Sequence, residues 1–198
     1  MPPNRKLRVF SLRALLVAVL GIAALLGWYV STVRAQRLAV GVIRRSGGRV
    51  DYDYMYKGES YNAGGSSWAP TWLRRSLGDD YFHRVVSVRV EESDFGDEDL
   101  RAISALLDLH TLCVYRSKIT DEGLSGLSRR RLRALWLGGN PITDVGLDRL
   151  GDDLIGGLDV LEFRGTGVTR KRASELQSKF PKLNIFAEGP SPGERQRL

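Results

Sequence analysis

The chain has 198 residues, room for one small domain and an appendage. It carries 30 Lys+Arg against 23 Asp+Glu, but nine of the basic side chains and none of the acidic ones fall in residues 1–50. Residues 51–198 hold the other 21 basic groups against all 23 acidic ones, a net of −2, so no basic surface remains there for neutralising nucleic-acid phosphates. A single Cys excludes an internal disulfide framework and a multi-cysteine zinc site, and two His leave most metallohydrolase and Cys–His schemes short of parts.

Residues 1–13 form a basic N-terminal tail with Arg5, Lys6, Arg8 and Arg13. Ala14 to Val33 follows without a charge, and at about 1.5 Å per residue it reaches ~30 Å, the thickness of a bilayer hydrocarbon core. Trp28 and Tyr29 sit near its far end, where amphipathic rings favour a membrane interface. This predicts a single-pass transmembrane anchor over residues 14–33. The competing reading is a signal peptide, with Val33 and Ala35 as the small residues before a cut at Gln36; the length of the apolar run favours the anchor. Basic residues flank the segment on both sides, and a short basic N-terminus that stays in the cytoplasm leans the domain to the extracytoplasmic side.

Residues 34–84 read as an N-terminal cap. Ala35 to Arg45 continues as helix until Ser46-Gly47-Gly48 stops it. Val50, Tyr52, Tyr54 and Tyr56 alternate with Asp51, Asp53 and Met55, the period of a half-buried strand. Asp51 and Asp53 on one face form either a carboxylate pair for a cation or, more plainly, a solvated edge. Residues 57–69 read as loop. Pro70 starts a short helix through Leu77 that places Trp72, Leu73 and Leu77 on roughly one side. Asp79-Asp80 end that helix, and His83 has no evident partner.

From Val85 the chain repeats itself. Each unit opens with apolar positions spaced L-x-x-L-x-L: Val85, Val88, Val90; Leu109, Leu112, Val114; Leu132, Leu135, Leu137; Leu158, Leu161, Phe163. Phe95, Ile119, Ile142 and Val168 come next, then Leu100, Leu124, Leu147 and Ala173, then Ile103, Leu127, Leu150 and Leu176. A fifth strand at Phe180, Leu183 and Ile185 closes the array, and successive starts lie 24, 23, 26 and 22 residues apart. Each unit reads as a short strand, a turn and a helix facing back on the strand, with Thr120 and Thr143 as N-caps. One unit cannot bury its own apolar face, so neighbours must stack.

These repeats resemble the leucine-rich repeat family. The I-T-D-x-G-L turns at Ile119–Leu124 and Ile142–Leu147 are similar to the ribonuclease-inhibitor-like subclass. The whole arrangement also resembles bacterial membrane-anchored leucine-rich repeat proteins, through Gly47 to Tyr54 (G-G-x-V-x-Y-D-Y) and Trp72 to Asp80 (W-L-x-x-x-L-G-D-D). The resemblance implies an α/β fold: a short leucine-rich repeat solenoid over residues 85–187, a curved parallel sheet with helices on its convex side, preceded by one transmembrane helix. The asparagine expected after L-x-L occurs only as Asn140, with Ser93, Ser117 and Thr166 elsewhere. The fourth unit carries Arg170, Lys171, Arg172 and Ala173 in place of D-x-G-L and reads as a terminal cap. Residues 188–198 read as a disordered tail.

In such a stack the residues between the apolar strand positions face outward on the concave sheet, in three columns. Ser87, Thr111, Ala134 and Val160 form the first; Arg89, Cys113, Trp136 and Glu162 the second; Glu91, Tyr115, Gly138 and Arg164 the third. Trp136 and Tyr115 beside Cys113, ringed by Arg89, Glu91, Glu162 and Arg164, have the composition of a protein-binding hot spot. The bland reading is cross-strand packing. His110 and Cys113 are three apart on a strand and point to opposite faces, so they form no catalytic couple. Glu91 to Asp99 lacks the closing glutamate of a calcium loop and has Phe95 at a ligand position. The expectation is therefore a non-enzymatic protein–protein interaction module with an unknown protein partner. No metal, cofactor, small-molecule substrate or nucleic acid is expected. The alternatives are a structural cell-envelope component without a discrete ligand, or a secreted repeat protein cut before Gln36.

Overall fold

The computed structural model describes residues 12–57, 60–62, 65–127 and 131–187. Most of the basic tail and all of residues 188–198 lie outside them, as do the expectations made for those segments.

The uncharged run and the expected cap helix form one element, α1 (Leu12–Arg45), 34 residues without a break. The border placed between residues 33 and 34 falls inside this helix. Residues 13–31 of it are exposed and almost entirely apolar, and it is long and apolar enough to cross a membrane. Its last turns carry Val33, Ala39, Val40 and Ile43, all buried.

After the Ser46–Gly48 turn, β1 (Arg49–Tyr52) pairs antiparallel with β4 (Val85–Glu91), with a register shift between Asp51 and Tyr52. The alternation predicts a strand on to Tyr56, but Asp53–Met55 forms a single 3-10 turn. The Asp53 N–H donates to the Arg84 carbonyl at 3.0 Å, which turns the chain off the sheet. Beyond the turn, β2 (Tyr56–Lys57) and β3 (Ser60–Tyr61) make a separate small hairpin. The predicted short helix is α2 (Thr71–Leu77), started by Pro70. Its Trp72 and Leu77 are exposed rather than core.

The repeat region supplies β4, α3 (Asp97–Ile103), β5 (Thr111–Tyr115), α4 (Asp121–Leu124), β6 (Ala134–Trp136), α5 (Asp144–Leu150), α6 (Asp152–Ile155), β7 (Val160–Glu162), α7 (Arg170–Lys179) and β8 (Asn184–Phe186). The six-stranded sheet runs β1-β4-β5-β6-β7-β8, parallel from β4 onward. Its order is the chain order, so each unit lies beside the next. The helices follow the same order, α1 against α3, α3 against α4, and α4 against α5. The third unit is the longest because α6 is inserted in it, and Leu154 and Ile155 of that insertion are buried.

All twelve strand anchors from Val85 to Phe163 are buried, as are Phe95, Ile119, Ile142, Leu100, Leu124, Leu147, Ile103, Leu127, Leu150 and Leu176. Val168 and Ala173 of the fourth unit are only half-buried against this core. That fits a last unit with no neighbour beyond it but a short edge strand. The helix starts are tied together from unit to unit. Asp97 accepts the N–H and hydroxyl of Thr120 at 2.9 and 2.6 Å, Asp121 those of Thr143 at 2.7 and 2.6 Å, and Asp144 those of Thr169, both at 2.8 Å. Each threonine in turn caps its own helix, through Glu122, Val145 and Arg172 N–H respectively. Gly123 and Gly146 make room for this ladder: a Cβ on them would lie 2.2 Å from Asp97 Oδ1 and 2.3 Å from Asp121 Oδ1. Arg170 stands where the next aspartate would, and there the ladder ends.

Candidate functional site

The strand register decides which outward residues meet. Arg89 lies opposite Cys113, Cys113 opposite Trp136, and Trp136 opposite Glu162. The expected second column is therefore one continuous row. It extends further than the repeat pattern alone indicates, to Arg49 beside Arg89 and to Phe186 beside Glu162. In the third column Glu91 lies opposite Tyr115.

The row is not uniformly open. Arg49, Arg89, Glu91 and Arg164 are exposed, and Tyr115 and Trp136 half-buried. Cys113 and Glu162 are only 6 % and 5 % exposed. Burial pushes the Cys113 thiol up to about 11, which makes it a poor nucleophile at neutral pH. Glu162, read from sequence as part of a charged rim, is instead a buried carboxylate. It accepts the Gly138 N–H at 3.1 Å, the Arg164 N–H at 3.2 Å and a hydrogen bond from Tyr115. Burial raises its carboxyl above the ordinary glutamate value, with those bonds and the Arg164 guanidinium pulling the other way. Tyr115 is raised as well, by burial first and then by the Glu162 charge. Gly138 permits the contact, because a Cβ there would lie 2.8 Å from the Tyr115 ring and 2.9 Å from Glu162 Oε2.

What the row leaves open to solvent is charged, with Phe186 as its exposed ring and Trp136 and Tyr115 half-buried. Arg89 and Glu91 approach to 3.9 Å, a loose pair between exposed side chains. The Arg164 guanidinium lies 5.1 Å from the Phe186 ring centroid. Among the described residues Trp136 stacks on no other ring.

A second cluster was not legible in the sequence. His83, 4 % exposed, has Nδ1 2.9 Å from Asp53 Oδ1 and Nε2 2.6 Å from Ser67 Oγ. Its ring lies 4.4 Å from that of Tyr54, and Trp68 lies beyond it. The three residues are 14 to 30 positions apart in loops and a 3-10 turn, so no spacing rule joins them. The order Ser–His–Asp is that of a hydrolytic relay, but the exposure is inverted. The carboxylate is open to solvent while the imidazole is sealed. The Ser67 oxygen also accepts the Ala69 N–H at 3.1 Å, which fixes it in a local turn. The geometry is that of a staple holding the 3-10 turn after β1, loop 65–70 and the entry to β4 together. Asp51 bonds Tyr56 and Asp53 bonds His83, so the two aspartates do not act as a pair. Among the described residues no three His, Cys, Asp or Glu side chains are grouped to hold a metal ion.

No protein-family model matches the chain, and no curated protein matches it either.

Proposed function

We propose that this chain is a membrane-anchored leucine-rich-repeat-type protein that presents the outward face of its parallel sheet to a protein partner. The observation that carries the reading is the Arg49–Arg89–Cys113–Trp136–Glu162–Phe186 row, which runs across all six strands and sets exposed arginines, a half-buried Trp136 and an exposed Phe186 around the buried Cys113 and the buried, hydrogen-bonded Glu162. Aromatic and Arg side chains on a preorganised surface are the usual carriers of interface energy. The 23- and 24-residue spacing of the first units and the chain-ordered sheet support the repeat reading. α1 supports retention of the anchor, because a cut before Gln36 would discard Val33 from the buried set and the Tyr29 hydroxyl that donates to the Tyr81 carbonyl. The basic N-terminus favours display of the domain on the extracytoplasmic side.

The test is site-specific photo-crosslinking of the full chain in its own membrane. A probe at Arg89 yields a discrete hetero-adduct, a probe at Arg149 on α5 does not, and Trp136→Ala abolishes the adduct without changing the unfolding midpoint. Adducts with further copies of the chain alone would instead establish lateral packing as an envelope component. An intact mass beginning at Gln36 in a soluble fraction would establish the secreted form.

A further inference from the structure

We propose that the end of the domain from which α1 emerges is itself a bilayer-docking surface, with Trp68, Leu107 and Tyr81 seated at the headgroup level of the membrane that the helix crosses. This rests on the anchor reading above and adds a membrane contact made by the domain.

The apolar run and the domain overlap along α1. If Ala14 to Val33 fills the hydrocarbon core, Tyr29 lies about 6 Å inside its far boundary, four residues at 1.5 Å each. Yet the Tyr29 hydroxyl already donates to the Tyr81 carbonyl, and Val33 is already buried against the domain. With no break in α1, the domain cannot be held off on a stalk, and the loops beside Tyr29 are brought to the boundary between hydrocarbon and headgroups.

Those loops carry side chains suited to that depth. Trp68 is 75 % exposed, Leu107 66 % and Trp28 66 %. With Tyr29, Tyr81 and Phe82 they line a groove of about 510 Å³ between the helix and the domain. Indole and phenol rings favour the headgroup region, and Arg37, with its guanidinium 5.1 Å from the Tyr81 ring centroid, suits the phosphate level above it. The backbone there is also prepared for low water. Gln36 Nε2 donates to the Asp80 and His83 carbonyls at 3.2 and 2.8 Å, and its Oε1 accepts the Val85 N–H at 3.3 Å. Loops that approach lipid need such partners, because an unpaired carbonyl is costly there.

The test uses full-length protein in phosphatidylcholine vesicles whose acyl chains are brominated near the headgroup. Three single-tryptophan chains are compared, retaining Trp68, Trp28 or Trp136, with the other tryptophans changed to Phe. Docking makes Trp68 and Trp28 both lose emission relative to unbrominated vesicles, while Trp136 on the sheet keeps its intensity. Quenching of Trp28 with Trp68 as bright as Trp136 would overturn docking and leave the anchor standing. Quenching of none would overturn both. Leu107→Cys carrying an environment-sensitive dye gives a measurement that keeps every tryptophan, and docking shifts its emission to the blue in vesicles. Dye emission as in water would overturn the proposal. The sealed thiol of Cys113 does not compete for the label.

Discussion

At the scale of single residues, the consequential side chains are polar groups that the fold has buried. His83 joins Asp53 and Ser67, and removing its ring takes one hydrogen bond from each and leaves a cavity beside Tyr54. His83→Ala is expected to lower stability by about 2–4 kcal/mol, read from urea midpoints of the detergent-solubilised chain. As a staple rather than a relay, the cluster should leave Ser67 unmodified by a fluorophosphonate; stoichiometric labelling of Ser67 would establish a nucleophile instead. Glu162 makes a pH prediction. Burial raises its carboxyl in the folded state, so the folded chain holds a proton that the unfolded chain has released. Stability should therefore fall as pH rises from the ordinary glutamate range through the raised folded value, then level off. Glu162→Gln should remove that slope, whatever it does to the absolute midpoint. Neither burial was legible in sequence. Alternation placed Glu162 on an outward face, and the approach of Tyr115 over Gly138, which alternation does not encode, helps to close it off.

At the scale of elements, the aspartate–threonine ladder gives the I-T-D-x-G-L motif a physical reason. The Thr caps its own helix, the Asp holds the next unit's Thr, and the Gly leaves space for the preceding unit's Asp. Asp97→Ala is expected to cost about 1–3 kcal/mol for two lost hydrogen bonds. Gly123→Ala should cost a similar amount, because its methyl would displace the same carboxylate. The double variant should be no less stable than either single one, since the clash leaves with Asp97; additive losses in urea unfolding would show that the Gly123 methyl meets something else. The apolar spacing made the units and most of the core readable, because period-two strands and i, i+3 helix contacts repeat at fixed offsets. The linkage between units was not readable in the same way, since it joins residues 22 to 25 apart. The turns were hidden too. The position two residues past the last strand anchor takes positive φ in every unit, but only Gly139 and Gly165 announce it, while Glu92 and Arg116 adopt 48° and 45° without glycine.

At the scale of the whole molecule, the long apolar run and the cap are the same helix. Sequence hydropathy separates them, because a charge-free run ends at Val33 and a basic one begins at Arg34. Folding joins them, because Ala39, Val40 and Ile43 cover the end of the core that no repeat covers. A stacked domain needs such a terminal cover, since an end unit otherwise leaves an apolar face in water. Burying these side chains together contributes on the order of 5 kcal/mol, comparable with the whole stability of a small domain. Two truncations separate the roles of the helix. A chain starting at Gln36 keeps the three core residues and the Gln36 bonds, so it should unfold cooperatively at a lower midpoint than the full chain. A chain starting at Gly47 loses all three, with the α3 and β4 end of the core uncovered, and should be recovered aggregated or without a cooperative transition. Equal midpoints for the full chain and the Gln36 chain would mean that Tyr29 and Val33 add nothing to the domain. A cooperative transition in the Gly47 chain would mean that the sheet and α3 close the core without α1.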